Sequence, residues 1–215
     1  MKLSIDIKTH NINRAVQPYL RATLLLTTIC RLIRTLLEIS LDIHLGDEDV
    51  DLVEQGFDLG FRAASRPFDS AYIGRPLRKF NYHICAAPSY LAKYPAITQA
   101  RDLLAHNCFE YSYFKGKNVW PLADGVKLQG NLKVNNVLFM LDIVKAGHGI
   151  GFLPEFTCRE ALAKGEVIEV LAEVAKPHLT LYALYPARQF VPPKVLQCIT
   201  FLEHWFTRQN TVQSH

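Results

Sequence analysis

Apolar residues recur along most of the chain first with a period of two and then with helical spacing, and this alternation predicts an α/β fold. Two further observations carry the expectation. Residues 39–62 read as strand, helix and strand in one short stretch, which argues for parallel pairing with the helix packed across the sheet. The composition, 49% apolar and 20% charged over 215 residues, is that of an ordinary folded globule. At this length one large domain and two small ones both stay open.

The elements follow in order. Leu3 to Ile7 alternates as a strand. Leu24 to Leu37 is strongly apolar, but Arg31 and Arg34 interrupt it, and it falls short of the roughly 20 apolar residues of a spanning helix. No short basic segment of a signal peptide precedes it, so a cytosolic protein is expected. In LEISLDIHLG, Ile39, Leu41, Ile43 and Leu45 share one strand face. DEDVDLVEQG is expected as a short helix, with acids in its first turn and Gly56 at its stop. Phe57 to Arg62 is the next strand, and Tyr72 to Gly74 at most a brief extended piece inside a proline-punctuated loop.

FNYHICAAP is a strand, and Pro88 with Ser89 opens a short helix that Pro95 closes. A helix through Leu104 and a strand ending near Tyr111 and Ser112 come next, then a turn-rich, hairpin-like region. Asn135 and Asn136 can cap a helix that is apolar from Val137 to Ala146 except at Asp142 and Lys145, a pattern expected to be buried on most sides. Gly147 is its natural stop, and GHGIGFLP is a strand whose glycines allow a close backbone approach. A helix ending at Gly165, the strands EVIEVL and HLTLYALYP, and a last helix repeating Val195, Ile199, Leu202 and Phe206 complete the chain.

Charge and cysteines exclude several classes of function. The formal charge of +4 is spread without a basic run, and no nucleic-acid-binding motif is visible. Cys30, Cys85, Cys108, Cys158 and Cys198 stand far apart without metal-ligand spacing, the pattern of small buried hydrophobes in a reducing compartment. Asp47, Glu48, Asp49 and Asp51 crowd a helix start, where the dipole stabilises carboxylates by about 0.3–1 kcal/mol each, so no metal or other cofactor is needed to explain them. His148 lies between glycines with no nucleophile or acid at a recognisable spacing, which reads as structural and gives no catalytic residue.

EISLDIHLGDEDVDLVEQGFDLGFR, IGRPLRKFNYHICAAPSYLAKYP and VNNVLFMLDIVKAGHGIGFLPEF, in that order and spacing, resemble the effector-binding domain of LysR-type transcriptional regulators, over about Ile39 to Phe206. The resemblance implies a type-2 periplasmic binding protein-like fold of two Rossmann-like lobes joined by two crossover strands. Residues 1–77 would be the first part of lobe I, 78–180 lobe II, and 181–215 the return crossover and the last helix of lobe I. It implies a small-molecule effector, such as a carboxylate, in the cleft between lobes, closure on binding, and a homodimer or tetramer.

Mapped onto this sequence, the effector would meet Asn135 and Asn136, Gly46 and Asp47, Arg62, Tyr111, Ser112 and Phe68, with Thr9 or Asn11 in place of the family's early serine or threonine. Each has a second reading that stays open. The asparagines can be plain caps, Arg62 can pair with Asp58 or Asp69, and Tyr111 and Phe68 can be core aromatics. The family's winged helix-turn-helix is not found before Ile39, so DNA binding is expected to be missing from this chain. The same fold also serves transporter solute-binding proteins and some enzymes. The first would need export, and the second a reactive group in the cleft.

Overall fold

The computed structural model describes residues 2–8, 31, 40–46, 51–64, 72–113, 119–122, 127–187 and 191–212. The chain forms two compact units, one of residues 1–79 and 180–215, the other of residues 80–179, so it passes from one to the other twice.

The first unit is built on a five-stranded sheet. Its strands are β1 (Lys2–Lys8), β2 (Ser40–Gly46), β3 (Leu59–Ala64), β4 (Tyr72–Phe80) and β10 (Leu179–Pro186), in the order β2-β1-β3-β10-β4. β1 pairs antiparallel with both β2 and β3, and β10 antiparallel with β3. The expected parallel neighbours therefore run in the same direction but are not adjacent, because β1 lies between them. Of the expected intervening helix, residues 47–50 lie outside the described residues. Residues 52–56 make one turn, with Asp51 Oδ1 accepting from the amides of Val53 and Glu54. Gly56, at φ 73°, then ends it, with Phe57 N–H reaching back to Leu52 C=O and Gly56 N–H to Val53 C=O. Between Asp51 and Gly56 there is room for one turn.

β4 is the other correction here. Nine residues are extended where a brief piece was expected, because Arg75 and Pro76 break the alternation and disguise it. Proline is tolerated because β4 is an edge strand. The closing helix α4 (Pro193–Val212) buries Val195, Ile199, Leu202 and Phe206 as its spacing predicts. Lys194 ties its first turn to Asp58 (2.7 Å), and Glu203 ties its middle to Arg75 (2.9 Å). Among the described residues, no helix is long and apolar enough to cross a membrane.

The second unit has a sheet of order β8-β5-β9, from β5 (Tyr82–Ala86), β8 (Ile150–Pro154) and β9 (Ile168–Val170), with β5 antiparallel to both neighbours. Its helices are α1 (Pro88–Leu91), α2 (Val137–Lys145) and α3 (Glu155–Ala163). The helix expected through Leu104 is a 3₁₀ segment, Ala100–Ala105, held by a capping box between Gln99 and Asp102.

Residues 107–112 form the spine of this unit. Cys108 bridges Ile150 in parallel, and β6 (Glu110–Tyr111) pairs in parallel with β7 (Lys133–Val134). On one flank Cys108, Glu110 and Ser112 donate amides to Gln129, Leu132 and Val134, at 2.7–2.9 Å. On the other, Phe109 N–H meets Ile150 C=O and Ile150 N–H meets Asn107 C=O. A glycine stands on each flank. A Cβ on Gly130 would sit 1.9 Å from Cys108 O, and one on Gly149 2.5 Å from Asn107 O and 2.6 Å from the Phe109 ring.

α2 crosses from the first flank to the second. It packs on β5, β8 and α3 through Val137, Met140, Leu141 and Val144, in one cluster with Phe109, Leu153 and Cys158. Those four side chains are worth about 1.5–3 kcal/mol each when fully buried. The helix is not buried on most sides, as its composition suggested. Phe139 is 49% exposed, and Asp142 and Lys145 face water.

Substituting Gly130 by alanine forces backbone apart and should destabilise the unit by about 3 kcal/mol or more. Alanine at Gly165, which has φ 68° and nothing within 4 Å of a Cβ, should cost about 1 kcal/mol. Denaturant unfolding of the two variants distinguishes these costs, and equal losses would contradict the close approach.

Candidate functional site

The end of the spine and the start of α2 converge on four of the expected contact residues. Pairing of β6 with β7 sets Tyr111 opposite Val134 and Glu110 opposite Lys133. Glu110 and Lys133 form an ion pair of 2.9 Å, and Tyr111 packs on the cluster beneath α2. One residue on, Ser112 N–H donates to Val134 C=O (2.7 Å), which holds exposed Ser112 against the residue preceding Asn135. Asn135 is exposed, and half-buried Asn136 caps α2. Tyr113, 43% exposed, stands edge-on to Tyr111 with ring centroids 5.7 Å apart.

The cap changes what this helix end offers. Asn136 Oδ1 accepts from the amides of Leu138 and Phe139, both at 3.0 Å. Two donors that an anion could have used are therefore already occupied. With its oxygen turned to the helix, the Asn136 side chain presents its NH₂ group as a donor.

The first unit carries two more. Gly46 ends β2 and Arg62 lies in β3, both in register with Lys2 of β1 and so in one cross-section of the sheet, with Tyr182 opposite Arg62 on the far side. Arg62 is half-buried, and burial lowers its pKa while Tyr72 opposes that shift. Tyr72 OH donates to Asp51 Oδ1 at 2.7 Å. The Asp51 carboxyl is held below its usual range by that bond first, and then by the amides of Glu54 and Val53. Asp58 accepts from Lys194 at 2.7 Å. Asp69, Asp47, Phe68, Thr9 and Asn11 lie outside the described residues.

Sequence reasoning missed other groups. Cys85 and Cys158, 73 positions apart, share one buried cluster of the second unit, where the neighbouring Cys158 thiol and then burial push the Cys85 thiol far up. Burial alone pushes Cys108 up to about 12. Such thiols stay protonated and are poor nucleophiles. Cys85, Cys108, Cys158 and Cys198 are all buried and free, and Cys30 lies outside the described residues. Lys176, with a side chain only 7% exposed, donates to Glu169 (3.0 Å) and to the carbonyls of Leu171 and Ala172, and Glu169 also meets His83 at 2.7 Å. No spacing rule brings these residues together. His148 is exposed, and its carbonyl accepts from Asn107.

Comparison with known proteins adds a family, three relatives and two solved structures. The profile of the LysR substrate binding domain matches residues 15–207. The probable HTH-type transcriptional regulator LtrA of Klebsiella pneumoniae is 28% identical over 77% of this chain and 56% of its own length. The HTH-type transcriptional activator TtdR of Escherichia coli K12 is 31% identical over 82% of this chain and 58% of its own, and the E. coli K12 regulator YhjC 32% identical over 90% and 64%. The chain thus spans between about half and two thirds of the length of these relatives.

Among solved structures, the regulatory domain of CrgA from Neisseria meningitidis superposes with a TM-score of 0.75 at 23% identity, over 84% of this chain and 91% of that one. The effector domain of AmpR from Pseudomonas aeruginosa superposes at 0.74 and 16%, over 92% and 96%. These likenesses show the type-2 periplasmic binding protein-like fold.

The bond from Tyr72 to Asp51 can be tested directly. Tyr72→Phe should raise the Asp51 pKa toward its ordinary value, read by carboxyl NMR titration. Because the carboxyl is held low in the folded chain, its contribution to stability is present above the unfolded pKa and lost as pH falls through the folded one. In the variant that contribution should shrink; an unmoved titration would contradict the bond.

Proposed function

The chain belongs to the LysR substrate-binding domain family, and on that premise we propose that it is the effector-sensing part of a LysR-type bacterial transcriptional regulator. It takes up a small molecule and passes the resulting change of state to transcription in the complete protein. The observation that carries this reading is the convergence of Ser112, Asn135 and Asn136 where β6 ends and α2 begins, in a chain whose family match spans both units. Strand ends beside a helix start are where α/β folds receive small ligands. The donors there, Asn136 Nδ2, Asn135 and the Ser112 hydroxyl, suit a carboxylate or another acceptor-rich group. Arg62, already partly desolvated, is the second proposed contact, and Gly46, Asp47, Tyr111, Phe68 and Thr9 remain proposed with it.

No covalent step follows from this arrangement. The curated relatives are transcriptional regulators, and a binding role accounts for every group at the site. Regulation requires that the effector bind one conformational state more tightly than another, since a ligand with equal affinity for both shifts nothing. A homodimer or tetramer in the cytoplasm is the proposed working form.

Thermal-shift titration with a panel of aliphatic and aromatic carboxylates tests the reading. A ligand at a hundredfold excess over its dissociation constant stabilises by about 2.7 kcal/mol. Asn136→Ala should lose about 1 kcal/mol of baseline stability with its cap and most of the ligand-induced shift. Arg62→Ala should lose the shift for carboxylates most strongly. Undiminished shifts in both variants would overturn these contacts.

A further inference from the structure

α2 hangs between two limbs, and only a short ladder fixes the incoming one. β6 and β7 share two residue pairs, too few to define register firmly without help. A slip of one residue there would carry Asn135 and Asn136 out of place beside Ser112. Help comes from the opposite end of the spine. Asn107 Nδ2 donates to Asn131 Oδ1 (2.9 Å) while Asn107 Oδ1 accepts from Asn131 N–H (3.0 Å), a reciprocal pair that locks the incoming limb to the start of the spine.

The same Nδ2 also donates to His148 C=O (2.7 Å), three residues beyond the end of α2. One side-chain amide thus closes the loop from 131 to 148 on both sides. Asn107 is itself fixed: its N–H donates to Tyr90 OH (3.0 Å), and its C=O accepts from Ile150 N–H (2.8 Å). Tyr90 is buried to 1% exposure. The clamp therefore stands on the core of the unit.

We propose that Asn107 is the positioning residue of the effector site: by joining Asn131 to His148 it sets the register in which Asn135 and Asn136 of the α2 start stand beside Ser112. It touches no ligand and acts through α2. The assignment rests on the reading of that helix end as effector-binding, but its test needs no effector.

The experiment is amide hydrogen exchange on the whole chain by NMR, comparing the natural protein with Asn107→Ala. Exchange should quicken about tenfold at Glu110 and Ser112, whose bonds to Leu132 and Val134 depend on register, while Lys164 and Gly165 at the end of α3 are unchanged. Asn131→Ala, at an exposed position that leaves the core intact, should give the same pattern more weakly and keeps the test available if the first variant does not fold. Acceleration confined to Asn131 and Ile150 would overturn the proposal, and so would uniform acceleration that includes α3. Failure of the carboxylate titration, with this exchange pattern present, would sink the effector reading and leave the clamp standing.

Discussion

Backbone meets backbone on both sides of residues 107–109, and the second unit is organised around that approach. Gly130 and Gly149 occupy positions where a single methyl group would overlap Cys108 O, Asn107 O or the Phe109 ring. Because they have none, the limbs entering and leaving α2 lie close enough to hydrogen-bond to the spine. The helix then bridges the two limbs and lays Val137, Met140, Leu141 and Val144 over Phe109 and Leu153. Its first turn comes to rest beside Ser112. The position of the candidate site thus descends from two missing side chains, with burial of the α2 stripe supplying the energy and the glycines supplying the geometry.

Within that frame the polar groups divide their labour. Asn136 spends its oxygen on the helix start, which leaves its NH₂ group as the donor proposed for a ligand. Asn107 directs its backbone and both side-chain polar atoms to protein partners. Buried thiols and the Lys176–Glu169–His83 chain serve the interior. A site of this composition favours recognition by shape and hydrogen bonds, as the proposed effector-sensing role requires.

Much of this was legible in the sequence where the cause is local. Gly56, Gly147 and Gly165 end turns or helices at positive φ, as their places after apolar periods indicated, and the Asn136 cap and the α4 stripe follow from neighbours three or four residues away. What escaped is non-local. The position of β1 between β2 and β3 is a pairing choice that strand alternation does not encode. β4 was hidden by Arg75 and Pro76, whose exposure at an edge removes the alternating signal. Asn107 meets partners 24 and 41 residues away, and Cys85 shares a buried cluster with Cys158 across 73, so no window of sequence reveals either. Of the nine expected contact residues, Asn135, Asn136, Tyr111 and Ser112 are gathered at one place because a strand end and a helix start are both readable signals.

The central claim is that a small acceptor-rich molecule is recognised where β6 ends and α2 begins. Chemical-shift mapping of the ¹⁵N-labelled chain during titration with a carboxylate that stabilises it tests this most directly. The account predicts saturable shifts at Ser112, Asn135, Asn136, Leu138 and Phe139, including the Asn136 side-chain NH₂. Saturable binding that leaves those resonances unmoved would contradict it.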